Sequence, residues 1–166
     1  NNLKNLIIGF DPGLNNTGWG IIENLSNSEK YVNHGLISTK KDIPLGQRLN
    51  MIYEGVSELF SEYSPESIAV EKIFSNKNPQ STLKLGKARA IIFLVAARFK
   101  VEIFEYSPNT VKKNLVGYGH AEKTQIIKMI ERFFPGLSSL NHDSADALAV
   151  AICHSMHKKS KINLFV

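Results

Sequence analysis

The sequence contains a single cysteine, Cys153, and no apolar run long enough to cross a lipid bilayer. One cysteine excludes an internal disulfide and any zinc site that needs several thiolates. The longest apolar run, residues 90–97, is far shorter than the roughly 20 residues of a transmembrane helix. The first residues also lack the pattern of a secretory signal peptide. We therefore expect a cytoplasmic protein without disulfides.

Repeats, low-complexity segments and long linkers are absent as well. A chain of 166 residues, of which 43% are hydrophobic and 21% are charged, has the size and composition of one globular domain. These features exclude fibrous and disordered classes of protein. We expect one domain over residues 1–166, with a C-terminal tail from about residue 158.

Basic residues are unevenly distributed along the chain, whose formal net charge is +5. Residues 1–71 carry 5 basic and 9 acidic side chains, whereas residues 72–132 carry 12 basic and 4 acidic ones. No acidic residue lies between Lys72 and Lys100. Such a segment often forms only a solvated surface, but within an ordered chain it also favours contact with phosphates.

Hydrophobic patterning predicts an α/β fold in which helices cover a mixed sheet. Three antiparallel strands come first, and two further strands then alternate with helices. The predicted strands span residues 6–10, 17–22, 31–38, 67–71 and 101–106, and the predicted helices span residues 45–60, 80–99, 108 onward, 121–134 and 143–157.

Four acidic residues lie where an apolar element begins or ends, namely Asp11, Glu71, Asp143 and Asp146. Asp11 and Glu71 end predicted strands. Asp143 and Asp146 are three residues apart and share one side of the last predicted helix. Three of the four also have a structural explanation, because Asp11 suits a turn, Asp143 a helix cap and Asp146 a helix dipole. A functional site requires all four to converge, which the sequence leaves open.

Convergence of these acids would determine their chemistry. Four carboxylates within a few ångströms stay ionised only when a cation neutralises them. Oxygen ligands without cysteine, and without paired histidines at ligand spacing, favour Mg²⁺ or Mn²⁺ over zinc. Two such ions about 4 Å apart form the kind of site that hydrolyses phosphodiesters by in-line attack of water. The hypothesis is therefore a metal-dependent nuclease.

Several motifs occur in a fixed order along the chain. They are Asp11-Pro12-Gly13, Gly18-x-Gly20, the runs 81–89 and 116–123, Glu71 at a strand end, and Asp143-Ser144-Ala145-Asp146-Ala147-Leu148-Ala149. Together they resemble the RuvC family of Holliday-junction resolvases, over nearly all of residues 6–157. The Asp-Pro-Gly hairpin alone is shared with other ribonuclease-H-like groups, whereas the whole set is specific. The hairpin glycines either let the backbone approach a phosphate or serve only the turn.

The resemblance implies a ribonuclease-H-like fold with a mixed five-stranded sheet. It also implies a homodimeric crossover junction endodeoxyribonuclease, which resolves four-way DNA junctions in recombination and repair by two symmetric cuts that leave ligatable nicks. Two Mg²⁺ ions per active site are expected, with Mn²⁺ as a substitute, and a branch-migration helicase complex of RuvA and RuvB type is the expected partner. The family's catalytic and metal-binding positions fall on Asp11, Glu71, Asp143 and Asp146.

The expected DNA contacts lie outside the four acids. Phe74 matches an aromatic residue thought to stack on junction bases, although a phenylalanine in this context is more often a core residue. Lys112 and Lys123 match basic positions implicated in phosphate contact and cleavage. His142 is expected to be a solvent-facing loop residue outside the site, with a supporting role next to the metal ligands as the alternative. The full set of expected DNA-binding residues is Phe74, Lys77, Lys84, Lys87, Arg89, Lys112 and Lys123.

Three other functions remain open at this point. A relative with the same fold could process ribosomal RNA precursors, and competition between that RNA and a DNA junction would distinguish the two. A sugar-kinase or actin-like protein needs a second, duplicated domain that 166 residues cannot hold, and the sequence has no G-x-x-x-x-G-K-[ST] loop. A binding-only module would keep the acids without taking up metal.

Overall fold

The computed structural model describes residues 4–74, 78–117 and 119–163. Its strands are β1 (Leu6–Asp11), β2 (Asn16–Asn24), β3 (Glu29–Ser38), β4 (Ser67–Glu71) and β5 (Glu102–Tyr106). Its helices are α1 (Leu45–Tyr63), α2 (Pro79–Arg98), α3 (Pro108–Val116), α4 (Lys123–Phe133) and α5 (His142–Asn163). None of these helices has the length and apolar character that a bilayer crossing requires in the part of the chain that is described.

The five strands form one sheet in the order β3-β2-β1-β4-β5. β1, β2 and β3 pair antiparallel, and β4 and β5 extend the sheet in parallel from the other side of β1. The predicted mixed α/β sheet, with three antiparallel strands followed by parallel ones, is thereby confirmed.

Helices cover both faces of the sheet. Because strand side chains alternate between faces, Ile8 and Phe10 of β1 pack with α1 and α2, while Ile7 packs with α5 on the opposite face. α3 and α4 pack against α5 in turn, so α5 is enclosed between the sheet and these two helices. The buried centre of α5 thereby holds its first turn at one edge of the sheet.

The first turns of α5 lie very close to β2. A side chain at Gly18 would overlap the backbone of Asp143, and one at Gly20 would overlap the side chain of Leu148. Because neither glycine has a Cβ, the helix can rest directly on the strand. These glycines therefore serve helix packing, which neither of the roles expected from the sequence includes.

Both ends of α5 differ from the prediction. At its start the side chain of Asn141 accepts a hydrogen bond from Ser144 N at 2.7 Å, so Asp143 is not the helix cap. At its end the helix continues to Asn163 instead of stopping at His157, so residues 158–163, which were expected to begin a C-terminal tail, belong to α5. Two ion pairs anchor the extra turns: Lys158 Nζ lies 3.0 Å from Glu66, and Lys159 Nζ lies 2.7 Å from Glu29. Apolar periodicity cannot detect polar contacts with residues so distant in the chain.

A buried histidine fixes α5 along the parallel strands. His154 Nε2 lies 3.0 Å from Ser67 Oγ of β4, and its Nδ1 lies 2.6 Å from the hydroxyl of Tyr106 in β5. Tyr106 pairs with Glu71 across the two strands. The acid at the end of β4 therefore has a defined position relative to the helix that carries Asp143 and Asp146.

Candidate active site

Two of the four acids end neighbouring parallel strands. The last paired residues of β1 and β4 are Phe10 and Val70, and Asp11 and Glu71 each follow by one residue. They therefore lie at the same edge of the sheet. Asp143 and Asp146 occupy the first turns of α5 above this edge, and all four side chains are half-buried.

The carboxyl groups of the four acids influence one another strongly. Burial raises the pKa of Asp11 from 3.8 to about 8, and the other three acids add to the effect, Asp143 also through a side-chain hydrogen bond. Burial raises the pKa of Glu71 from 4.5 to about 7, and Asp146 adds to it. Burial likewise raises the pKa of Asp146, with a contribution from Asp143. The geometry agrees with these effects, because Asp11 pairs with Gly18 of β2 and Asp143 rests directly on Gly18. The structure therefore brings the acids of the strand ends and those of α5 together.

Two lysines flank the acids on the α5 side of the sheet. Lys112 belongs to α3, and Lys123 is the first residue of α4. Lys123 Nζ lies 3.8 Å from Asp146 Oδ2. The positive charges of both lysines lower the pKa values of Glu71 and Asp146 and thus oppose the effect of burial. His142 is the exposed first residue of α5, not a loop residue.

The acid cluster has the chemistry of a site for a hard divalent cation. Its carboxylates supply only oxygen, which Mg²⁺ and Mn²⁺ prefer, and the raised pKa values mark negative charge that the two lysines leave uncompensated. Among the described residues, no three His, Cys, Asp or Glu side chains are already arranged as a metal-coordination group. The residues thus fit the ion by donor type, and their carboxylates would have to turn toward it on binding.

The expected DNA contacts fall in different environments. Phe74 is 57% exposed, so it is not a core residue and is available for stacking. Lys84 is exposed and lines a groove beside Asp143. Lys87, three residues further along α2, is exposed as well but does not line the groove. Lys77 lies outside the described residues.

Arg89 is turned toward the end of β4 instead of outward. Its guanidinium pairs with Glu105, donates a hydrogen bond to the backbone oxygen of Glu71 at 3.3 Å, and lies 4.7 Å from the centre of the Phe93 ring. The side chain is only 15% exposed. This environment supports a structural role for Arg89, whereas from the sequence it was expected to contact DNA. The neighbouring Ala88, which belongs to the buried face of α2, is the sequence feature that could have indicated that Arg89 is not fully exposed.

A groove of about 580 Å³ opens next to Asp143. Residues 13–16, which follow Asp11, form one wall, and Ser81, Lys84 and Leu85 of α2 line the groove as well. Lys41 and Arg48 complete the lining, and we call this feature the basic groove after Lys41, Arg48 and Lys84. Neither Lys41 nor Arg48 was expected at a site, because both belong to the segment of the sequence in which acidic residues predominate.

A five-stranded mixed sheet whose parallel strand ends meet a helix at a cluster of acids defines the ribonuclease-H-like class of nucleases. The family model described as crossover junction endodeoxyribonuclease RuvC matches residues 7–154. A crossover junction endodeoxyribonuclease RuvC from Bartonella bacilliformis is 47% identical over 152 residues, covering 92% of this chain and 91% of that protein. The RuvC of Brucella anthropi is 46% identical, covering 93% and 90%.

Solved structures agree with these sequence comparisons. The RuvC of Thermus thermophilus in complex with a Holliday junction substrate superposes with a TM-score of 0.87 and 27% identity, covering 94% of this chain and 96% of that one. The same protein in a further structure gives a TM-score of 0.85 and 26% identity. The chain belongs to the RuvC family of crossover junction endodeoxyribonucleases.

Proposed function

We propose that this chain resolves four-way DNA junctions and that the acid cluster is its catalytic centre. The observation that carries the proposal is the meeting of Asp11 and Glu71, from two strand ends, with Asp143 and Asp146 of α5. Membership of a family of crossover junction endodeoxyribonucleases supports the reaction, and the junction held by the Thermus thermophilus relative supports the substrate.

The four acids are the residues that would hold Mg²⁺. Asp11 and Glu71 would share one ion, and Asp143 and Asp146 would complete the site for a second, with Mn²⁺ as a substitute. When bound, such ions activate water for attack on a phosphodiester and stabilise the leaving oxygen. The raised pKa values of Asp11 and Glu71 support this role, since they record negative charge that a divalent cation would neutralise.

Side chains around the acids would hold the DNA. Lys112 and Lys123 flank Glu71 and Asp146, and they would offset the charge of the scissile phosphate while keeping it against the acids. The exposed ring of Phe74 would stack on a junction base, an interaction that contributes roughly 1–3 kcal/mol per base. Lys77 remains a predicted phosphate contact.

We propose a homodimer, because two symmetric cuts require two active sites and the described residues contain one acid cluster. An exposed stripe of α2 supports this assembly. Leu83 and Leu94 are 67% and 49% exposed, and they lie on the same side of the helix because eleven residues make just over three full turns. A helix face of this kind fits a second copy of the chain. Leu94→Glu should therefore give a monomer by light scattering and remove paired cleavage.

Two further expectations complete the proposal. Resolution of junctions in recombination and repair implies cooperation with a branch-migration helicase complex of RuvA and RuvB type. It also implies that the enzyme works in the cytoplasm, where bacterial DNA is located.

The test is cleavage of a synthetic immobile junction in Mg²⁺, beside a linear duplex of the same sequence. Wild-type protein should leave paired, symmetric nicks on the junction only. Asp146→Asn should remove cleavage and still bind the junction, because its affinity comes from basic side chains. Asp42→Asn, which changes an exposed acid outside the cluster, is the matched control. Full cleavage by the Asp146→Asn protein would contradict the assignment.

A further inference from the structure

The acid cluster has positive side chains on two sides, of which the groove side includes two cations, Lys41 and Arg48, that were not expected there from the sequence. Lys112 and Lys123 come from α3 and α4, which pack on the α5 face of the sheet. The basic groove takes Arg48 from α1 and Lys84 from α2, which pack on the opposite face. A strand of DNA that crosses the edge of the sheet at the acids would therefore contact Lys112 and Lys123 on one side of the acids and the basic groove on the other.

The positive charges of the basic groove have no carboxylate partner among the described residues. Lys41 and Lys84 are exposed and form no ion pair there. Arg48 is held by neutral acceptors: its Nε donates to Thr39 Oγ1 at 2.8 Å, and its Nη2 donates to Asn15 Oδ1 at 2.7 Å. These bonds orient the guanidinium while leaving its charge uncompensated.

The lining of the groove favours one kind of ligand. Its described lining contains no aromatic ring that could stack on a base, whereas it contains three cations together with amide and hydroxyl groups. Side chains of these types contact phosphate and sugar in protein–DNA complexes. Its volume of about 580 Å³ is large enough for a short length of backbone, and Asp143 is part of its lining.

We propose that the basic groove binds the phosphate backbone of the cleaved strand next to the scissile phosphate, through Lys41, Arg48 and Lys84. This inference rests on the proposed function, because it extends the path of the same substrate. It assigns a binding role to Lys41 and Arg48 and gives Lys84 a defined place on the path. The strand would then be held on both sides of the acids, so that the scissile bond stays aligned with them.

The first test uses the salt dependence of junction binding, measured in EDTA so that no cleavage occurs. Each phosphate contact adds about 0.9 to the slope of log affinity against log salt, so Lys41→Gln/Lys84→Gln should lower the slope by about 2. The ratio of wild-type to variant affinity should accordingly shrink about tenfold between about 50 and about 200 mM salt. Lys30→Gln/Lys40→Gln removes the same charge from exposed positions outside the groove and should leave the slope unchanged.

The second test locates the contact on the DNA. Junctions that carry one neutral methylphosphonate at each position around the cut are compared for wild-type protein and for Lys84→Gln. Neutralising the phosphate that the groove binds should weaken wild-type binding and have little further effect on the variant. The coupled positions should lie within a few nucleotides of the cut, on the cleaved strand.

The outcomes separate this inference from the function on which it rests. A wild-type protein that neither binds nor cuts junctions would refute the proposed function. A wild-type protein that cuts them, with the groove variant keeping the wild-type salt slope and showing no coupled phosphate, would refute the groove alone. Equal losses in the groove variant and in Lys30→Gln/Lys40→Gln would also refute it, because general charge would then explain the effect.

Discussion

The acid cluster and the basic groove are adjacent, yet they are built in opposite ways. The acids are half-buried, and two strand ends and an enclosed helix hold them. Of the three cations of the groove, Arg48 is held by described side-chain hydrogen bonds, while Lys41 and Lys84 are exposed to solvent. The pKa values of Asp11 and Glu71 are raised by burial and by like charges. In the absence of a cation, the fold therefore disfavours the ionised form of these acids.

This difference implies a division of labour between the two regions. Acids placed by strand ends and an enclosed helix can hold a reacting group in one geometry once a cation has oriented their carboxylates, whereas exposed lysines on flexible stems can follow a backbone whose position varies. Changes in the acid cluster should therefore affect the rate of cleavage and the stability of the fold. Changes in the basic groove should affect affinity and its salt dependence.

The largest effect is expected for Asp11→Asn. Cleavage should fall by more than the roughly 10- to 100-fold that groups supporting a metal ligand contribute. Because burial and the neighbouring acids raise the pKa of Asp11 to about 8, its ionised form disfavours folding at neutral pH, and removing the charge should stabilise the protein. In EDTA the melting temperature should rise by roughly 2–4 °C for each 1 kcal/mol gained.

Added Mg²⁺ provides the converse measurement. It should raise the melting temperature of the wild-type protein, since a ligand that binds only the folded state stabilises it, and it should raise that of Asp11→Asn less. Asp42→Asn, at an exposed position, should behave as wild type in both measurements. A lower melting temperature of Asp11→Asn in EDTA would contradict the account of a self-repelling cluster.

The sequence predicts the frame of the acid cluster well, because its residues end apolar elements. Glu71 directly follows a short apolar strand, and Asp143 and Asp146 share a helix side opposite its apolar residues, so their placement at an edge follows from periodicity. The packing of Gly18 against Asp143 could not be predicted in this way, because it depends on the approach of two elements that are far apart in the chain.

The lining of the basic groove could not be predicted from local sequence patterns. Charge counts along the chain drew attention to residues 72–132 and away from Lys41 and Arg48, since local counts contain no information on which faces meet. For the same reason Arg89 was expected to face DNA, although its partners are Glu105 and the backbone of Glu71. The position of Arg48 in the groove and the orientation of Arg89 both depend on contacts between polar side chains and residues distant in the chain, which local patterns do not contain.

A second prediction concerns Arg89, whose partners lie at the end of β4 beside the acid cluster. Arg89→Lys should lower kcat by about tenfold, comparable with the loss of other groups that orient a ligand, because the backbone of Glu71 loses its hydrogen bond. The junction Kd and its salt slope should not change. Arg98→Lys, on the same helix, is the matched control. A higher junction Kd with an unchanged kcat would contradict this prediction and would support a direct contact of Arg89 with DNA.

The smallest effect is expected for Thr39→Val, which tests whether the basic groove is partly rigid. Thr39 is buried; its hydroxyl accepts the bond from Arg48 Nε and donates to the backbone of Leu14. Without this hydroxyl the guanidinium should lose its orientation, and junction affinity should fall about fivefold, as expected for about 1 kcal/mol. The salt slope and kcat at saturating junction should stay unchanged, because no charge is removed.

A double-mutant cycle separates this effect from a general loss of stability. If Thr39 acts by orienting Arg48, Thr39→Val should have almost no further effect on affinity in an Arg48→Lys protein, whose side chain lacks the fork. Additive losses would show that Thr39 acts independently of Arg48. In that case all three cations of the groove would bind DNA as flexible charges, and the contrast with the acid cluster would become sharper.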